Sequence, residues 1–127
     1  MKSKIPFRLR IIYGDSCLGI QQIETYSVKL SYKEPFRIAP GASTESHNIV
    51  VKIVTDYGVV GWGESSPAQR VTGETVETVI TTLDRIAPKL IGMCPLRIEQ
   101  NVEVTDSIVK GNPAAKAAID IALHDIL

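Results

Sequence analysis

The stretch HNIVVKIVTDYGVVGWGESSPAQRVTGE, residues 47–74, decides how this chain folds. It opens with a β-branched run in which Ile49, Val51 and Ile53 face one way and Val50, Lys52 and Val54 the other. Such a run suits a pleated, largely buried surface. Asp56-Tyr57-Gly58 follows as a short polar turn, with a glycine for a positive φ angle. A second strand, Val59 to Glu64, completes an antiparallel hairpin. That strand ends Gly61-Trp62-Gly63-Glu64 and runs into Ser65-Ser66-Pro67. Glycines inside a strand weaken it, and they mark a bulge or the close approach of another segment. The hairpin therefore delivers a loop, Ser65 to Gly73, to a specific place.

Working back from the hairpin, Ile20 to Leu30 reads as a strand. Glu24, Tyr26, Val28 and Leu30 lie on one face, and Ile23, Thr25, Ser27 and Lys29 on the other. Lys33-Glu34-Pro35-Phe36 breaks the alternation, and RIAPGASTES, residues 37–46, reads as a long connecting loop. The three strands make an antiparallel meander. Residues 1–19 stand as an N-terminal extension. Phe7, Leu9 and Ile11 alternate there with Arg8 and Arg10, which allows a strand, and Gly14-Asp15-Ser16 reads as a turn.

Working forward, Thr72 is placed to cap a helix from about Gly73 to Ala87, with Glu74 in its first turn. Val76, Val79, Ile80, Leu83, Ala87 and Leu90 recur at helical spacing, and Pro88 bends or ends the segment. A second helix opens at Pro95, offers Ile98, Val102 and Ile108 to the core and stops at Gly111. Asn112-Pro113 is a helix start, with asparagine as cap and proline at the first position. The third helix, Ala114 to Leu127, gathers Ala115, Ala118, Ile119, Ala122, Leu123 and Ile126 on one wide apolar face. It ends without a capping signal, so it reads as cut off or as packing on something else. The fold class is α+β, a three-stranded antiparallel meander followed by a helical segment.

The chain has 127 residues, enough for one domain with a core. Lysine plus arginine equal aspartate plus glutamate, 14 against 14, so no basic surface points to nucleic acid. No apolar run is long enough to cross a membrane. Pro6, Arg8 and Arg10 interrupt any export signal, which makes the cytoplasm the expected location. Cys17 and Cys94 lie far apart and are expected as reduced thiols.

The side chains taken singly carry little chemistry. His47 and His124 are not spaced as metal ligands and read as ordinary core or surface histidines. Asp56 is a turn residue. Glu64 is expected to be satisfied by nearby backbone N–H groups rather than to face a ligand. Trp62 is expected in the core, with stacking on a substrate as the alternative. Lys116 reads as a solvated helix lysine, with a Schiff-base role as the sharper alternative. No catalytic residue and no metal ligand is assigned.

The motifs together carry a family resemblance. In order they are PFRIA (Pro35 to Ala39), VVKI (Val50 to Ile53), TDYG (Thr55 to Gly58), GWGES (Gly61 to Ser65), VTGET (Val71 to Thr75), IAPKLIG (Ile86 to Gly92) and GNPAAKAAIDIALHDIL (Gly111 to Leu127). Over residues 20–127 the chain resembles the N-terminal capping domain of the enolase superfamily, in its mandelate racemase/muconate lactonizing branch. Within that branch it is most similar to L-Ala-D/L-Glu dipeptide epimerases. The resemblance implies a cap over residues 20–111 and a helix, 112–127, leading into a (β/α) barrel absent from this sequence. It implies that the full-length enzyme removes a proton α to a carboxylate with Mg²⁺, using barrel lysines and acidic metal ligands. None of those positions falls in residues 1–127, so this chain alone is expected to be inactive and to hold no cofactor.

The resemblance assigns the cap two loops that close over a small carboxylate or dipeptide, here Pro35 to Ser46 and Glu64 to Gly73. Phe36, Arg37 and Ile38 in the first, and Ser66, Val71 and Thr72 in the second, are the substrate-facing candidates. Arg37 suits a carboxylate, and Thr72 serves equally as a helix cap. Muconate cycloisomerase, N-acylamino acid racemase and o-succinylbenzoate synthase stand as alternatives to a dipeptide epimerase. The partner is the barrel of the same enzyme. A different reading is a stand-alone structural or binding module that self-associates through Ala114 to Leu127.

Overall fold

A computed structural model describes residues 2–5, 17–38 and 41–127, with side chains described for 17–34 and 44–127. The sheet has the order β1 (Lys2–Ile5), β2 (Ile20–Ile38), β3 (Gly41–Thr55) and β4 (Val60–Ser65). The expected meander is β2-β3-β4, antiparallel throughout. β1 adds a fourth strand on the free edge of β2, from Lys2 opposite Tyr26 to Ile5 opposite Ile23. The expected alternation at Phe7 to Ile11 and the turn at Gly14 to Ser16 lie outside the described residues.

The predicted loop between the first two strands is largely strand. The β2-β3 ladder runs on past a register shift between Ser31 and Phe36 and pairs Phe36 with Ser43, Arg37 with Ala42 and Ile38 with Gly41. Small polar residues have low strand propensity, but the antiparallel partner is already held in register by the strands behind it. The turn expected at Asp56 to Gly58 is a short 3₁₀ turn. Both Tyr57 (φ 65°) and Gly58 (φ 79°) are left-handed there.

Four helices follow the sheet: α1 (Gln69–Thr72), α2 (Val76–Leu90), α3 (Ile98–Ile108) and α4 (Pro113–Ile126). Ile23, Ile49, Val51 and Ile53 of the sheet bury their side chains against Val79, Leu83, Ile86 and Leu90 of α2 and Ala115, Ala118, Ile119, Ala122 and Leu123 of α4. The apolar faces of β3, α2 and α4 are those the spacing predicts. α3 differs. Its fully buried residues are Asn101 and Thr105, Ile98 and Ile108 are half-buried, and Val102 is exposed.

Four helix signals act elsewhere than expected. α2 begins at Val76, where Thr75 accepts from the Thr78 N–H at 3.2 Å and its own N–H donates to Thr78 Oγ1 at 2.8 Å. Pro88 lies inside the helix rather than at its end. Glu74, expected in the first turn of that helix, is buried and accepts from the Ala114 and Ala115 N–H groups of α4, each at 3.0 Å. Asn112 is left-handed (φ 54°) and makes no side-chain cap. A carboxylate from a distant segment thus takes the place of the local cap, as a helix N-terminus favours.

The cysteines are not free thiols: Cys17 and Cys94 are disulfide-bonded, with Cα atoms 5.8 Å apart. The expectation rested on the lack of a readable export signal and on sequence separation, and neither says anything of distance in the fold. Ile20 donates to the Met93 carbonyl (2.9 Å), and Gly92 donates back to Ile20 (2.8 Å), so the two cysteines flank a short backbone ladder.

Candidate functional site

Two projections leave one end of the sheet. β4 stops at Ser65, opposite Ile49. Past that level β2 and β3 continue alone as a two-stranded ribbon, on which Leu30 and Tyr32 are exposed. The chain after Ser65 turns instead into α1. There Gly73 (φ 80°) closes the helix by donating to the Gln69 carbonyl at 3.0 Å.

A polar chain joins the roots of these projections. Ser46 donates to Asn48 Oδ1, and Asn48 Nδ2 donates to Glu64 Oε1 at 2.5 Å. Glu64 is exposed and takes an amide side chain, not the backbone N–H groups expected of it. Farther along the ribbon Lys29 pairs with Glu45 at 3.2 Å. Ser27 Oγ lies 2.7 Å from His47 Nε2, a cross-strand pair on an exposed surface. The Glu77 carboxyl at the start of α2 is held below the usual glutamate range. Its own backbone N–H contributes most, then the Thr75 hydroxyl, with the charge of His47 acting in the same direction.

The predicted substrate-facing residues divide between the two projections. Phe36, Arg37 and Ile38 lie in the far end of β2, with side chains outside the described residues. Ser66, Val71 and Thr72 are exposed on the second projection, Val71 to 62%. Thr72 does not cap α2. It ends α1, where its hydroxyl lies 3.5 Å from the Ala68 carbonyl and accepts from the Glu74 N–H at 3.4 Å.

Trp62 also departs from expectation. It is 47% exposed on the sheet face away from the helices, with its ring centroid 6.2 Å from that of Tyr26 and 5.3 Å from Lys52 Nζ. Tyr26 in turn donates to Glu24 Oε2, which raises the phenol above its usual pKa. The ring points outward because the inner face at this strand is occupied by α4. A side chain on Gly61 or Gly63 would collide with the Ala122 or Ala118 carbonyl. The close approach read from the two glycines is therefore that of α4. Asp125 completes the contact by accepting from the Trp62 N–H at 2.8 Å. Lys116 is not a solvated lysine: it is 21% exposed and pairs with Asp106 at 2.8 Å.

Among the described residues no three His, Cys, Asp or Glu side chains converge to hold a metal ion. The described side chains do not fit a Mg²⁺ site. No described helix is long and apolar enough to cross a membrane.

Comparison with known proteins places this geometry. Residues 21–127 match the family model "Mandelate racemase / muconate lactonizing enzyme, N-terminal domain". The chain is 40% identical over 111 residues to the N-succinyl-L-Arg/Lys racemase of Bacillus cereus, covering 87% of this chain and 30% of that protein. It is 40% identical over 110 residues to the hydrophobic dipeptide epimerase of Enterococcus faecalis, covering 87% and 31%. The dipeptide epimerase of Cytophaga hutchinsonii, solved with Mg and the dipeptide D-Ala-L-Val, superposes with a TM-score of 0.81 at 38% identity. That match covers 85% of this chain and 29% of the other. The chain thus spans about 30% of the length of the relatives it matches.

Proposed function

Because the chain belongs to the mandelate racemase/muconate lactonizing enzyme N-terminal domain family, we propose that it is the substrate-closing cap of a dipeptide or N-acylamino acid epimerase. The observation that carries this reading is the pair of projections that leave the sheet together at Ile49 and Ser65. Their exposed side chains can exclude water from a substrate and select its side chain, while proton transfer belongs to another domain. Phe36, Arg37 and Ile38 act from the ribbon, and Ser66, Val71 and Thr72 from the second projection. Arg37 meets a carboxylate or acidic side chain of the substrate. On this reading the metal, its ligands and the proton-transferring lysines belong to a barrel outside residues 1–127.

The extension (1–19), the cap proper (20–111) and a helix leading to the barrel (112–127) are the units of this reading. α3 and α4 border a groove of about 430 Å³ in which Val102, Ala117, Ile119 and Leu123 lie beside the charged Asp106, Lys116 and Asp120. Ile121, on α4, is 49% exposed. We assign this face to the barrel. Self-association through it is the second reading, favoured by the same exposed side chains.

The test starts from the source DNA. The frame past Leu127 is read, and the encoded protein is assayed in D₂O for exchange of the α-proton of dipeptides and N-succinyl amino acids, with Mg²⁺ supplied. The expected result is a frame continuing into a barrel, exchange by the extended protein and none by residues 1–127. A stop codon directly after Leu127, or exchange by the short chain, overturns the reading.

A further inference from the structure

We propose that Cys17 and Cys94 form a reversible thiol–disulfide clasp whose oxidation state sets the stability of this domain. Three segments meet at the clasp: the entry to β2, the turn after β3 and the turn between α2 and α3. Gly19 donates to Asp56 Oδ2 at 3.0 Å, and Asp56 donates from its backbone to the Gly19 carbonyl at 3.0 Å. Ile20 and Met93, and Gly92 and Ile20, close the backbone ladder beside it. On the other side, the Cys94 carbonyl accepts from Asn101 Nδ2 at 2.8 Å and from the Arg97 N–H at 3.3 Å. Asn101 is fully buried, so this anchor is fixed by the core.

Both cysteines are therefore held near each other by bonds that do not depend on the disulfide. Reduction leaves the two positions facing, and the bond can reform. Both residues are half-buried rather than sealed in the core, and partial exposure is what thiol exchange requires. The co-reactant is a low-molecular-weight disulfide. One cysteine thiolate attacks it, forms a mixed disulfide and releases one small thiol. The second cysteine thiolate then displaces the other small thiol and closes the protein disulfide. Two protein thiols lose two electrons and two protons, and the small disulfide gains them as two thiols.

The size of the effect follows from the separation. The bond spans 77 residues, so it removes much freedom from the unfolded chain and little from the folded one. A loop of that length in a domain of this size corresponds to a rise in Tm of about 10–15 °C on oxidation.

The test equilibrates the 127-residue chain with excess oxidised glutathione or with a reductant, then counts free thiols by alkylation and mass and records thermal melts. The expected result is no free thiol after oxidation, two after reduction, and a Tm lower by about 10–15 °C in the reduced protein. Reoxidation restores the higher Tm. Cys17→Ser and Cys94→Ser melt with the reduced protein and ignore the reductant. Two free thiols after glutathione disulfide, glutathione adducts in place of the internal bond, or equal melts in the two states would overturn the proposal.

Discussion

Gly63 sits where any side chain would run into the carbonyl oxygen of Ala118, and its absent Cβ would also lie 2.9 Å from the Ala122 nitrogen. Strand β4 and helix α4 are thus in backbone contact, and only a glycine fits between them. Gly63→Ala must push the helix off the sheet, and α4 supplies five of the buried core residues. The expected loss is about 2–4 kcal/mol, read from urea denaturation. A loss below about 0.5 kcal/mol, the range of a surface change, would mean the helix yields freely.

Glu74 gives a second measure of how α4 is held. Its two carboxylate oxygens each accept one N–H from the first turn of that helix, in a buried position. Glu74→Gln keeps the shape but replaces one acceptor by a donor facing an N–H. We expect a loss of about 1.5–3 kcal/mol, the range for hydrogen bonds to a charged group, with Glu74→Ala at least as large. Equal stability of Glu74→Gln and the parent protein would show that the carboxylate adds nothing.

Trp62 is the protein's one tryptophan, and it stands half-exposed over Lys52 and beside Tyr26. Acrylamide should quench its fluorescence efficiently in the folded state. Trp62→Ala should cost about 0.5–1.5 kcal/mol, the worth of an aromatic pair, well below the 3–5 kcal/mol of a core tryptophan. A blue-shifted, unquenched emission would place the ring in an apolar interior instead.

The Glu77 carboxyl is held below its ordinary pKa by its backbone N–H and then by Thr75, with His47 nearby. A carboxyl depressed in the folded state stabilises above its unfolded pKa, and that contribution is lost as pH falls through the folded value. Glu77→Gln should therefore flatten the acid limb of the stability curve below about pH 5. NMR titration should place the Glu77 midpoint under the usual glutamate value. A midpoint at or above that value would remove the claimed bonds.

What was legible in the chain was periodic. Ile49, Val51 and Ile53 alternate, and Ala115, Ala118, Ile119, Ala122 and Leu123 recur at helical spacing, and both sets are the core. The glycines around Trp62 announced a close approach, though not that α4 was the visitor. Several of the misreadings share one physical origin: a side chain partnered at long range. Glu74 caps a helix 40 residues on, Asp125 reaches the Trp62 N–H across 63, and Cys17 meets Cys94 across 77. Rules that read local sequence do not reach such partners, and only the packing of α4 and the turn after α2 brings them near. The ribbon was read as a loop for a related reason, because its pairing is inherited from the register of the strands behind it. The joining of the two projections through Asn48 and Glu64 has no signal in the sequence, because it links side chains 16 residues apart across two strands.

The outer face of α4 gives the last prediction. Ile121 is 49% exposed, and Val102 is 37% exposed beside a groove with an apolar floor. If a barrel covers this face in the extended protein, residues 1–127 alone leave it open. Ile121→Asp should then change the stability of the short chain by no more than about 0.5 kcal/mol, because the side chain makes no core contact there. The same change should reduce any concentration-dependent association seen by sedimentation, since a charge on an apolar contact face must be desolvated to bind. In the extended protein it should be far more damaging, at about 2 kcal/mol or more, because the aspartate would be buried unpaired at the domain contact. A short chain that forms a defined dimer, lost in Ile121→Asp and with no further penalty in the extended protein, would instead assign this face to self-association.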